Sequence, residues 1–220
     1  MTQEELIARV RSDSDDLVVP YLSSDALIIQ WLAEAEQEAA IRSRLIYDAT
    51  TAEVCSIAVT AGQPTYALHP AIIDIARAVF TPEGGSTEIA LYLTDHVEQD
   101  RLHTGWRTQV DVPRQVIQMD TTLRLGCVPS TDGVIALECY RLPVSLDDDS
   151  WQPEISAIHH RHLAQWALHR CYSRPDAEIF NPKKAEAALA EFTRVFGLRP
   201  EAGMRRDSQA NRPIFNKAIW

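Results

Sequence analysis

At 220 residues, 45% apolar and 24% charged, the chain has the ordinary balance of a globular protein and enough length for one good core or two small ones. A formal net charge of −10 argues against a protein that wraps nucleic acid through phosphate contacts, which needs a basic face, yet an acidic wall lets DNA pass without holding it. No apolar run approaches the ~20 residues that span a bilayer, and the acidic, polar start is unlike a signal peptide, so an intracellular protein with no membrane association is expected.

Thr2 and Glu5 form a capping box, the threonine capping a backbone N–H and the glutamate reaching back to the cap. A short helix follows, with Leu6, Ile7 and Val10 inward. Residues 12–16 are a polar, acidic break, and residues 17–22, with Pro20, read as a loop that packs down on the core. Ser23, Ser24 or Asp25 caps a second helix reaching about Asp48. Leu27, Ile28, Trp31, Leu32, Ala35, Ala39 and Ile46 mark its apolar face, which leaves Glu34, Glu36, Gln37, Glu38, Arg42 and Arg44 mainly on the rest.

From Thr51 to Leu142 the period changes to that of strands. Residues 54–60, 65–68, 72–80, 89–94, 116–119, 122–125 and 134–140 read as strands, separated by Gly- and Pro-bearing turns at 61–64 and 82–86. Residues 95–106 are polar and partly helical, and Asp120-Thr121 turns a hairpin. Short strands with such turns predict an antiparallel sandwich or small barrel inserted between helices. Asp147, Asp148 and Asp149 then read as a solvated linker.

Residues 153–197 predict a helical hairpin. In its first arm Ile155, Ile158, Leu163, Trp166, Ala167 and Cys171 recur at threes and fours, and Pro153 suits the first turn. Asn181-Pro182 caps and opens the second arm, whose apolar face is Ala185, Ala188, Leu189, Phe192, Val195 and Phe196. Gly197 ends it and Pro200 prevents a restart. The fold expected is α+β: a helical bundle of 1–50 with 150–198, an inserted antiparallel β-sandwich or small barrel over 51–149, and an extended tail over 199–220. That tail carries five basic residues against Glu201 and Asp207 and has an apolar end, but nothing in it forms a core of its own.

Chemistry is sparse. Cys55, Cys127, Cys139 and Cys171 are widely spaced without a CxxC pair, and buried free thiols are expected. Nucleotide loops, HExxH and GxSxG are absent from the sequence. His159 and His162 share a helix face, but no acidic or cysteine ligand recurs at a fitting step, so they read as core-edge or interface histidines and not as a metal site. The five tryptophans do not alternate with basic residues, so a base-stacking platform is not expected. No cofactor and no catalytic residue is expected.

The order of parts resembles the head-to-tail adaptor proteins of tailed bacteriophages. The resemblance lies in a helix with Asp25, Leu27, Trp31, Leu32, Ala35 and Glu38, and in the turn Gly62, Gln63, Tyr66, Leu68 leading into Ile72. It continues in a strand ending Tyr140-Arg141-Leu142-Pro143, in the run from Pro153 to Leu168, and in the closing Ala188, Phe192, Phe196, Gly197. The β insert is longer than in the smallest adaptors and closer to the tubular adaptors of short-tailed phages.

The resemblance implies a structural virion protein at the head–tail junction, made in the host cytoplasm. Such adaptors form a ring, usually of twelve copies, beneath the portal ring and above a downstream tail or nozzle protein. DNA passes through without sequence-specific binding. The C-terminal segment commonly docks on the portal, which assigns that role here to Arg205, Arg206, Arg212, Pro213, Ile214, Phe215 and Trp220. Other readings of the chain are a different neck, tail-tube or head-closure component, a small hydrolase using His159 and His162, and a host module that binds an acidic partner through its tail.

Overall fold

The computed structural model describes residues 1–144, 151–175 and 178–201. It divides into a helical unit, Met1–Ile46 with Arg141–Arg199, and a β unit beginning at Tyr47 and running to Tyr140. The linker aspartates 147–149 lie outside the described residues.

In the helical unit, α1 spans Gln3–Ser14 and its capping box forms as expected: the Thr2 hydroxyl accepts from Glu5 N, and the Glu5 carboxylate accepts from Thr2 N. The acidic break begins later than its composition implies. The helix continues through Ser14 and ends where Asp15 takes the left-handed conformation. Helix α2, Asp25–Ser43, is capped by Ser24 and stops at Arg44, also left-handed, five residues short of the expected end. Helices α5, Ala157–Tyr172, and α6, Pro182–Phe196, form the hairpin, with Asn181 accepting from Lys184 N at the cap. Aromatic rings join the pair: Trp166 lies 5.2 Å from Phe192, which lies 4.6 Å from Phe196.

Three readings of helix faces are corrected. Pro153 and Ile155 precede α5, and Ile158 is 72% exposed, because the buried stripe is His160, Leu163, Ala164, Ala167, Leu168 and Cys171. Glu36 is fully buried and Glu38 nearly so, although both read as solvent-facing. The Glu36 carboxylate accepts from Trp151 Nε1 at 3.1 Å, Glu154 N at 2.5 Å and Ile155 N at 3.0 Å, fastening the strap that leads into α5. Glu38 pairs with Arg42 at 2.9 Å, and Arg42 also donates to Thr193 Oγ1 and the Gly197 carbonyl, tying the end of α2 to the end of α6. Glu36 is satisfied entirely by donors more than a hundred residues away, and Glu38 adds Arg199 at 3.4 Å to its neighbour Arg42, so neither burial is legible from the charge pattern of α2.

The β unit is built on a curled, partly closed sheet in the order β1 (Tyr47–Asp48), β10 (Gly133–Arg141), β4 (Ile72–Pro82), β5 (Ile89–Leu93), β7 (Gln115–Gln118), β8 (Thr122–Leu125), β3 (Thr65–Ala67), with β2 (Ser56–Val59) also on β10. β1 and β2 pair antiparallel with β10, as do β4 with β5, β7 with β8 and β8 with β3, whereas β5 runs parallel to β7. A separate short pair, β6 (Val110–Asp111) on β9 (Val128–Pro129), is parallel. Alternation sets the inward face: Ile135, Leu137 and Cys139 of β10 meet Phe80, Leu91, Val116, Leu123 and Leu125 in one core. Val54 and Cys55, expected to open a strand, instead close a helical turn, α3 (Ala52–Cys55); the polar stretch after β5 holds α4 (His96–Leu102), capped by Asp95. The Gly62–Tyr66 turn is pinned by the tyrosine, whose hydroxyl lies 2.5 Å from the Gln63 carbonyl and accepts the Thr60 N–H at 3.1 Å.

At Gly133, β10 passes close against the end of β4. A Cβ there would lie 2.4 Å from the Thr81 carbonyl oxygen and 2.6 Å from the Phe80 ring. Gly133→Ala is expected to destabilise the β unit by about 1–3 kcal/mol, the usual range for overpacking. Chemical denaturation checks this; an unchanged midpoint would mean that β4 and β10 separate at no cost.

Candidate docking surface

The seven tail residues expected to dock, Arg205, Arg206, Arg212, Pro213, Ile214, Phe215 and Trp220, lie outside the described residues. Within the described helical unit the most prominent surface feature is the loop of residues 17–22. It was expected to pack down on the core. Instead Leu17, Val18 and Val19 are 60%, 79% and 73% exposed, and Tyr21 and Leu22 are each 44% exposed.

This exposure is not looseness of attachment. Arg11, buried on the inner face of α1, donates to Asp16 Oδ2 at 3.0 Å, to the Ser23 carbonyl at 3.0 Å and to Asp25 Oδ1 at 2.5 Å. Asp16, also buried, accepts from Leu22 N at 2.9 Å and Ser23 N at 3.2 Å. The Arg11 guanidinium stacks on the Tyr21 ring at 3.6 Å. Both ends of the loop are therefore clasped by one buried ion pair, and the apolar side chains between them are held toward solvent. The signal missed in the sequence was the arginine on the inward stripe of α1, beside Leu6 and Val10. A charge there needs a buried partner, and Asp16 supplies it.

Arg11→Ala leaves the buried Asp16 carboxylate without its cation. The expected cost is about 3–5 kcal/mol, and at roughly 2–4 °C per kcal/mol for a chain of this size the melting temperature falls by about 10 °C. Arg11→Lys, which keeps the charge but not the fork, falls between. A melting temperature unchanged in Arg11→Ala would show that the clasp does not hold the loop.

The loop lies at one end of the helical unit. Tyr172, the last residue of α5, donates to the Asp13 carbonyl at 3.1 Å, and Arg174 reaches Ser23 Oγ at 3.5 Å. The other end gathers the start of α5 and the close of α6: the His159 and His162 rings lie 5.7 and 6.4 Å from Phe196, and Ser43 donates to the Phe196 carbonyl. Burial and the neighbouring Arg161 charge hold the His162 imidazole below its ordinary pKa. Among the described residues no group of three His, Cys, Asp or Glu side chains is placed to hold a metal. His159 and His162 serve as the aromatic edge of the hairpin.

The β unit contains a cavity of about 160 Å³ lined by Gln99, His103, Trp106, Asp111, Arg114 and Cys127 among others. Its single carboxylate is Asp111. Burial pushes the Cys127 thiol above its ordinary pKa, which keeps it protonated and a poor nucleophile. All four cysteines are buried and free, and among the described residues no helix is long and apolar enough to cross a membrane.

Among known proteins, the family described as SU10 adaptor protein matches residues 1–214 of the chain. No curated protein matches it.

Proposed function

The chain belongs to the SU10 adaptor protein family and is a phage head-to-tail adaptor, a structural protein and not an enzyme; from that premise we propose that its copies close into a ring, of about twelve, beneath the portal at the neck of the virion. The observation that carries this reading is the extent of the family match, which runs through both units and on to Ile214 in the tail. The ring lines the conduit between capsid and tail, with the portal on one side and a tail or nozzle protein on the other. An acidic chain, net −10, suits a lumen that DNA crosses without phosphate contacts that trap it.

In this reading the tail docks on the portal. Arg205, Arg206 and Arg212 supply charge, and Ile214, Phe215 and Trp220 supply apolar surface, with Pro213 stiffening the approach. Burial of the two rings contributes on the order of 2–3 kcal/mol each before ordering costs. Many tails held in one ring add avidity without new contacts. Electron microscopy of portal rings mixed with the chain tests the assembly: the expected image is a second ring, with rotational symmetry, stacked on one face of the portal. Portal rings left bare at saturating concentrations of the chain would overturn it.

A further inference from the structure

We propose that Cys55 and Cys139 are a dithiol–disulfide pair, reduced in the host cytoplasm and joined once the protein stands in an oxidising medium.

β1 and β2 both pair with β10, at its two ends. Tyr47 and Asp48 lie opposite Tyr140 and Cys139, and Ser56 to Val59 lie opposite Ala136 to Gly133. The residues between them leave the sheet. The Asp48 carboxylate accepts from Thr50 N and Thr51 N, both at 3.0 Å, and so starts the single turn of α3. Cys55 N donates to the Thr51 carbonyl at 2.8 Å and closes that turn. The chain re-enters the sheet with Cys55 beside the stretch of β10 that it skipped. Its Sγ lies 4.0 Å from Cys139 Sγ, in contact and in the same apolar core.

The other two thiols have different neighbours. Cys127 Sγ donates to the Asp111 carbonyl at 3.5 Å, and Cys171 Sγ lies 3.8 Å from Ser23 Oγ. The fold therefore selects 55 and 139 as the pair.

A disulfide needs its sulfurs about 2 Å apart. Side-chain rotation and a small shift of α3 supply the remaining approach. The turn can give: it is four residues long, its Thr51 cap makes no side-chain hydrogen bond, and Ala52, Glu53 and Ser56 are exposed around it. Cys139 is fully buried and strand-paired, so Cys55, 4% exposed, is the sulfur that an opening of α3 uncovers first.

A low-molecular-weight disulfide, such as oxidised glutathione, supplies the oxidation. Cys55 loses its proton and attacks one sulfur of that reagent, expelling a thiolate that takes up the proton. Cys139 then loses its proton, attacks Cys55 Sγ in the mixed disulfide, and expels the second thiolate, which takes up that proton. Two protein thiols are oxidised and one small disulfide is reduced to two thiols. The reducing cytoplasm keeps the pair as thiols during assembly, and release into the medium removes that protection. This timing follows from the virion reading, whereas the sulfur contact does not depend on it.

The bond ties the chain's entry into the β unit to its exit, because the two positions are 84 residues apart. On the chain-entropy scale, closing a loop that long raises the melting temperature by roughly 5–15 °C in a chain of this size.

The test needs only the full chain, purified in dithiothreitol and exchanged into oxidised glutathione at neutral pH. Alkylation after denaturation should find two of the four thiols lost. Peptide mapping without reductant should return the Cys55–Cys139 link. The melting temperature should rise by at least about 5 °C and fall back on addition of dithiothreitol. Cys55→Ser should lose both the link and the rise. The parent chain decides even where that variant does not fold: four thiols still alkylated, stable glutathione adducts in place of the link, or a link through Cys127 or Cys171 would overturn the inference. The portal plays no part in this experiment. A chain that forms the link yet leaves portal rings bare keeps this inference and loses the ring.

Discussion

Removing residues 203–220 is expected to leave a soluble, folded chain that no longer binds portal rings, with affinity reduced by at least 100-fold. Among the described residues the cores are made by α1, α2, α5 and α6 in one unit and by the curled sheet in the other. The tail brings the chain's basic, aromatic-ended segment, and anchors of that kind dominate binding energy when they fill pockets. Loss of two buried rings in each of many copies multiplies through avidity. Circular dichroism and portal pull-down, measured on the same preparation, separate folding from docking. Undiminished binding by the truncated chain would move the portal contact to the described units.

Glu36→Ala is expected to damage the helical unit as severely as Arg11→Ala. It strips the acceptor from Trp151 Nε1, Glu154 N and Ile155 N together. Each unpaired buried donor costs about 1–3 kcal/mol, so a loss of roughly 4 kcal/mol is a moderate expectation, seen as a fall of about 8–16 °C in melting temperature. The same group sets a pH dependence. Burial pushes the Glu36 carboxyl above its ordinary pKa, and the three N–H donors hold it back only in part. Folded Glu36 then binds its proton more tightly than unfolded Glu36. Its contribution to stability is largest below the ordinary carboxylate range and falls as pH rises through the raised value. The stability of the parent chain relative to Glu36→Gln should decline over that window. A relative stability that grows with pH would mean that the donors outweigh burial.

Much of the fold was legible because local signals and tertiary packing agree. The Thr2 and Asn181 caps, the α5–α6 hairpin, the Tyr66 turn and the β7–β8 hairpin all formed where cap, period and turn residues placed them. In several failures the deciding partner is far away in sequence. The apolar period of α2 runs on through Ile46, but Tyr47 and Asp48 are taken by β10, more than ninety residues later. The β6–β9 pair is two residues long on each side, too short to show alternation. Glu36 and Glu38 read as solvent-facing because charge usually is, and only Trp151 and the strap for Glu36, and Arg199 for Glu38, reveal why they are inside. The 17–22 loop erred in the opposite direction. Its apolar run implied burial, but Arg11 and Asp16 fix the flanks and leave Leu17, Val18 and Val19 outward.

Whether this chain assembles on a portal is decided by mass photometry. The purified chain is measured alone, then mixed with portal rings from the same phage. The expected result is a monomer that becomes a ring-sized complex only when the portal is present, with the added mass corresponding to a full set of copies. A monomer that leaves the portal mass unchanged at every concentration would contradict the account and assign the chain to a different position in the neck.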